Sequence, residues 1–115
     1  MAIIAGTYDF TVQRRADHTE EMAITDGSDN PVNLSGYEVA SSVYDESRTT
    51  KYADFTAVIT SASNGTFTLT LTRTQTATFT PNELKYDVKL KSPSDKQEYY
   101  VEGTIFVSEG YTVFP

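Results

Sequence analysis

The chain has 115 residues, 38% of them hydrophobic and 12% aromatic, which fits one domain whose core needs no staples. It contains no cysteine, which excludes a disulfide framework and a thiolate metal site. Its formal charge of −7 repels phosphate backbones and anionic membranes, which speaks against nucleic-acid and membrane partners.

The N-terminal "MAIIAG" is apolar, but no basic region precedes it, and it is too short for a signal peptide or a membrane span. The absence of cysteine fits assembly in a reducing cytoplasm. Beyond it, helical period is never sustained, while period-2 alternation recurs. "TYDFTVQ" (7–13) sets Tyr8, Phe10 and Val12 against polar neighbours, and "EEMAIT" (20–25) offers Met22 and Ile24. "DGSDNPVN" follows as a turn, because Gly supplies positive φ and Asp and Asn bond their own backbone. "GYEVASSVYD" (36–45) puts Tyr37, Val39, Ser41 and Val43 on one side, and "ESRTTKYAD" then reads as a polar connection to a strand at 55–60.

"SASNG" (61–65) is a hairpin signal between two alternating runs. The threonine-rich "TFTLTLTRTQTATFT" (66–80) is too long for one strand. Its inward residues Phe67, Leu69 and Leu71 give way to Arg73 and Gln75, so the strand should end near 72. A helical turn near 74–79 should follow, with Phe79 closing the core and Pro81 opening the next strand. "LKYDVKLKS" (84–92) points Leu84, Tyr86, Val88 and Leu90 inward. After the turn "PSDK", the run "QEYYVEGTIFVSE" (97–109) puts Tyr99, Val101, Gly103, Ile105 and Val107 on one parity. These elements predict an all-β, antiparallel β-sandwich of about seven strands with one short helical crossing. The single domain spans 1–115, with its core at about 6–108 and a tail at 109–115.

Chemistry-bearing motifs are sparse. His18 is the sole histidine and has no ligand spacing, so it reads as a surface or strand-end residue. Asp26, Asp29 and Asn30 could face Ca²⁺, but the EF-hand pattern is absent and a hairpin loop explains them. The adjacent pairs Glu20–Glu21 and Asp45–Glu46 point to opposite faces of a strand and cannot converge as acid and base. No nucleophile elbow or phosphate loop occurs. No catalytic residue, cofactor or metal is therefore expected. The threonine row suggests an ice-binding face, but one threonine-bearing strand in a twisted sheet does not make a flat array. Tyr44, Tyr52, Tyr99 and Tyr100 could form an aromatic platform for a glycan, or simply fill the sandwich.

The tail "SEGYTVFP" (108–115) carries Tyr111, Val113 and Phe114 beyond the last predicted strand. Two readings stay open: it folds back on its own sandwich, or it docks on a neighbouring subunit.

The order of elements, the turn "DNPVNLSGYEV" with Pro31, Leu34, Gly36 and Tyr37, and the closing "YDVKL" and "VEGTIFVS" strands carry a resemblance. Over about residues 5–108 the chain resembles the immunoglobulin-like virion domains of phages, similar to the N-terminal domain of baseplate upper proteins. The resemblance implies a non-enzymatic bacteriophage virion component: a tail, baseplate or fibre-attachment connector, or a capsid decoration protein. Its partners would be other virion proteins in many symmetry-related copies. In that family the domain often heads a longer chain, and one that stops after the sandwich suits a connector or decorator. The competing class is a carbohydrate-binding adhesive module.

Overall fold

A computed structural model of the chain describes residues 6–112 and residue 114. In chain order the elements are β1 (Gly6–Thr7), β2 (Phe10–Gln13), β3 (His18–Ala23), β4 (Glu38–Tyr44), β5 (Lys51–Asp54), β6 (Thr56–Ser61), β7 (Thr66–Leu71), α1 (Arg73–Thr76), β8 (Glu83–Lys91) and β9 (Gln97–Ser108). The larger sheet runs β1-β9-β8-β4-β5, with β2 also on β9, and the smaller runs β3-β7-β6. Pairing is antiparallel throughout, except that β1 and β2 lie parallel to β9. The strand order and the parallel pairing of first strand with last make this an immunoglobulin-like sandwich.

Alternation builds the core as the sequence leads one to expect. Leu84, Tyr86, Val88 and Leu90 of β8 face Phe67, Leu69 and Leu71 of β7, and all are buried. Tyr86 packs edge-on against Phe10 at 5.0 Å between centroids and against Phe55 at 6.2 Å. Edge-to-face rings add to what their buried area alone contributes. The hairpin at 61–66 places its left-handed residue at Gly65 (φ +67°), where a side chain would also strike the carbonyls of Val32 and Ile24.

The threonine-rich run divides after Leu71. Thr72 caps α1: its hydroxyl accepts the Gln75 N–H, and the Gln75 side-chain oxygen accepts the Thr72 N–H. Phe79 is fully buried and meets Tyr52 edge-on at 6.2 Å, closing one end of the core. The threonine face is broader than one strand. Pairing register brings Thr19 of β3 and Thr56 of β6 alongside Thr70. Glu21 and Val58 flank Thr68 in the next row and interrupt the array.

Three local expectations need correction. First, the strand expected at 7–13 is two strands. It breaks at Tyr8–Asp9, where the chain presses onto Gly103, and the Asp9 carboxylate accepts the Thr104 N–H at 2.7 Å. Second, the polar connection before residue 55 contains β5, an edge strand whose Ala53 pairs with Val43 and is buried. A four-residue strand whose two core-contacting residues, Tyr52 and Ala53, are adjacent instead of alternating leaves little periodic signal. Third, Tyr99 points outward. The β8–β9 register shifts between Val88, paired with Val101, and Lys89, paired with Tyr99. The unpaired extra residue is Tyr100, and the bulge reverses the parity of what precedes it. Tyr100 packs against the core, while Tyr99 is exposed.

Candidate functional site

Two regions gather side chains whose placement exceeds what folding requires. One is the root of the C-terminal tail. The chain leaves β2 into a turn with Arg15 at φ +64°, and the Arg14 N–H donates to the Ser108 carbonyl at 2.9 Å, prolonging the parallel β2–β9 ladder. Arg14 Nε donates to the Phe79 carbonyl at 2.7 Å, which anchors the guanidinium beside the closed end of the core. Both Arg14 and Arg15 then grip Glu109, Arg15 Nη2 lying 2.6 Å from Oε1, and Arg15 also donates to the Gly110 carbonyl. Arg15 first, and then Arg14, hold the Glu109 carboxyl below the usual glutamate range.

Beyond this clamp the tail meets little of its own domain. Tyr111 is 89% exposed and Phe114 93% exposed. Val113, the third expected docking residue, lies outside the described residues. For the described aromatic residues, folding back onto the sandwich is not the arrangement. The described strands also leave edges on both sheets. β3 and β6 bound the smaller sheet, and β1, β2 and β5 bound the larger. Unpaired strand edges present backbone donors and acceptors to any incoming strand.

The second region is a depression on the outer face of the larger sheet, of about 360 Å³, lined by Ser42 and Tyr44 of β4, Asp87 and Lys89 of β8, Tyr99 of β9, and Arg48. The β4–β5 hairpin puts Arg48 there. Asp45 organises that hairpin: its carboxylate accepts the Thr49 N–H at 2.8 Å and the Thr50 N–H at 3.2 Å, and its Oδ2 takes the Ser47 hydroxyl. These bonds, that from Thr50 foremost, lower the Asp45 pKa. Arg48, at φ +60°, turns back across the sheet and reaches Glu102 at 3.4 Å. Partial burial pushes the Asp87 carboxyl above its ordinary value, and Glu102 adds to this against the opposing pull of Arg48 and Lys89. Lys89 Nζ stands 5.0 Å from the Tyr99 ring centroid, a cation–π contact that steadies the ring.

Of the four tyrosines considered as a platform, Tyr44 and Tyr99 share this depression. Tyr52 packs on Phe79, and Tyr100 donates to the Ala23 carbonyl at 3.0 Å on the other side of the molecule's edge. Sequence reasoning missed Arg48 and Asp87. Asp87 has the plain outward parity of β8, and Arg48 lies in what reads as a polar connection.

The remaining candidates settle into structural places. His18 opens β3, stacks on Phe10 at 5.4 Å and lies 2.9 Å from Glu20, which also accepts the Tyr8 hydroxyl. Asp26 spends its carboxylate on the Ser28 and Asn30 N–H groups of its own loop. Among the described residues no three His, Asp or Glu side chains converge as a metal site. No protein-family model and no curated protein matches the chain.

Proposed function

We propose that this chain is a non-enzymatic structural module of a bacteriophage particle. It would act as a tail, baseplate or fibre-attachment connector that assembles with other virion proteins through its sheet edges and its C-terminal tail. The observation that carries the assembly reading is the tail itself. Two aromatic side chains, Tyr111 and Phe114, stand almost fully in solvent just beyond a root pinned by Arg14 and Arg15. Exposed large apolar side chains next to an anchored root are suited to entering a neighbour's groove. The virion setting is supported by the resemblance in element order and turn motifs described above. Pairing two or more such contacts per copy suits a symmetric array.

The test is incorporation. Particles assembled with the double variant Tyr111→Ser, Phe114→Ser should lack the protein, while the purified variant keeps wild-type stability. Normal incorporation of that variant would overturn the tail contact. Gold-labelled antibody on intact particles addresses the setting: label at the tail or its tip supports the connector, and label on the shell replaces it with capsid decoration. Particles without label would remove the virion reading.

A further inference from the structure

We propose that the depression over β4, β8 and β9 binds a neutral pyranoside unit of a glycan, with Tyr99 as the stacking surface and Asp87 and Arg48 as the hydroxyl-binding groups. It is independent of the tail contact. Tyr99 lies near the start of β9 and the tail follows the end of that strand, so the two lie about 30 Å apart at the rise of an extended chain.

Three observations select the ligand class. First, the charges around the depression balance: Arg48 and Lys89 against Asp87 and Glu102, the last on its continuation past Tyr99. An anion would meet two carboxylates and a cation would meet two cationic side chains, so neither is favoured. Second, the Asp87 side chain is partly buried, and its carboxylate accepts no hydrogen bond from the described residues. Covering it with an apolar segment would leave a buried acceptor unpaired, which is costly. A sugar hydroxyl is both donor and acceptor, and can give its proton to Asp87 while accepting from the Arg48 fork. Third, Tyr99 is 56% exposed, and Lys89 Nζ stands over one face of its ring at 5.0 Å, so a pyranose would stack on the opposite face. The C–H face of a pyranose covers such a ring, which joins an apolar contact to polar ones at fixed spacing. The volume lies at the lower end of the roughly 300–1,000 Å³ typical of ligand sites and suits one or two sugar units. An open site of this kind binds weakly, and repeated copies would supply the avidity.

The experiment is an NMR titration of ¹⁵N-labelled protein with the methyl glycosides of glucose, galactose, mannose, N-acetylglucosamine and rhamnose. At least one should give saturable shifts at the amides of Ser42, Arg48, Asp87 and Tyr99, with Kd on the order of millimolar. Tyr99→Ala and Asp87→Asn should each weaken that binding by ~10-fold or more, the equivalent of about 1.4 kcal/mol. Val58→Ala, on the exposed face of the other sheet, should leave it unchanged. Thermal melts of all three variants establish that each is folded. Absence of saturable shifts with all five glycosides would overturn the site. So would shifts that map elsewhere, or unchanged affinity in both site variants.

Discussion

Replacing Gly103 with Ala should detach the first strand from the last. Gly103 does not occupy a left-handed conformation; what demands glycine is proximity. A Cβ built there would lie 1.9 Å from the Tyr8 carbonyl oxygen and 2.7 Å from its carbon, both backbone atoms. The carbonyl would have to retreat by more than about 1 Å to reach van der Waals range. It is not free to do so, because it accepts the Tyr86 hydroxyl at 2.6 Å and the Tyr8 N–H is bound to the Glu102 carbonyl at 3.0 Å. The Asp9–Thr104 bond lies in the same crossing. Losing two of these bonds costs about 2 kcal/mol at a typical ~1 kcal/mol each. Residual overpacking adds ~1–3 kcal/mol. The stiffer unfolded chain returns about 0.4–1 kcal/mol. The net loss is therefore about 2–5 kcal/mol, a large share of a small domain's stability. Urea unfolding followed by far-UV circular dichroism should show a lower midpoint with an unchanged slope. Gly6→Ala is the control, since no described residue comes within 4 Å of its added carbon. If Gly103→Ala matched wild type to within ~0.5 kcal/mol, the close crossing of first and last strands would be refuted.

Other substitutions test separate parts of the molecule. Tyr86→Phe removes only the bond to the Tyr8 carbonyl and should cost about 1–2 kcal/mol by the same unfolding measurement. Phe79→Ala opens a cavity where α1 meets the core, and a loss of ~3–5 kcal/mol is expected from its complete burial. The Glu109 clamp should respond to acid. Its folded pKa is depressed, so its contribution is present above the ordinary glutamate value of 4.5 and is lost as pH falls through the lower folded value. NMR order parameters at Gly110 and Tyr111 should fall over that window, and an unchanged tail would count against the clamp. Asp87 has the opposite sign, because burial raises its folded pKa. Its charge opposes folding once pH rises above the unfolded value, so Asp87→Asn should be more stable than wild type at pH 7 and equal to it near pH 3. Paired thermal melts at the two pH values read this directly.

Much of the architecture is written in alternation, which is a local property. The inward rows of β7 and β8, the hairpin at Gly65 and the break after Leu71 each follow from which side chains a pleated strand can bury and which residues a turn tolerates. The tail's Tyr111 and Phe114 stood out as apolar residues continuing past the last alternating run, but the sequence left open whether they fold back on the sandwich, and only the structure shows them exposed. What alternation cannot express is pairing between distant segments. The bulge that turns Tyr99 to solvent exists only because β9 pairs with β8 out of step. The break in the first strand exists only because Tyr8 crosses Gly103, ninety-five residues along the chain. The depression around Asp87 is likewise an assembly of three strands and a hairpin loop. Each of its residues looks like an ordinary outward side chain until the sheet sets them side by side. Local chemistry thus determined which residues face the core, and long-range register, set by packing two sheets together, decided what the outer surface presents.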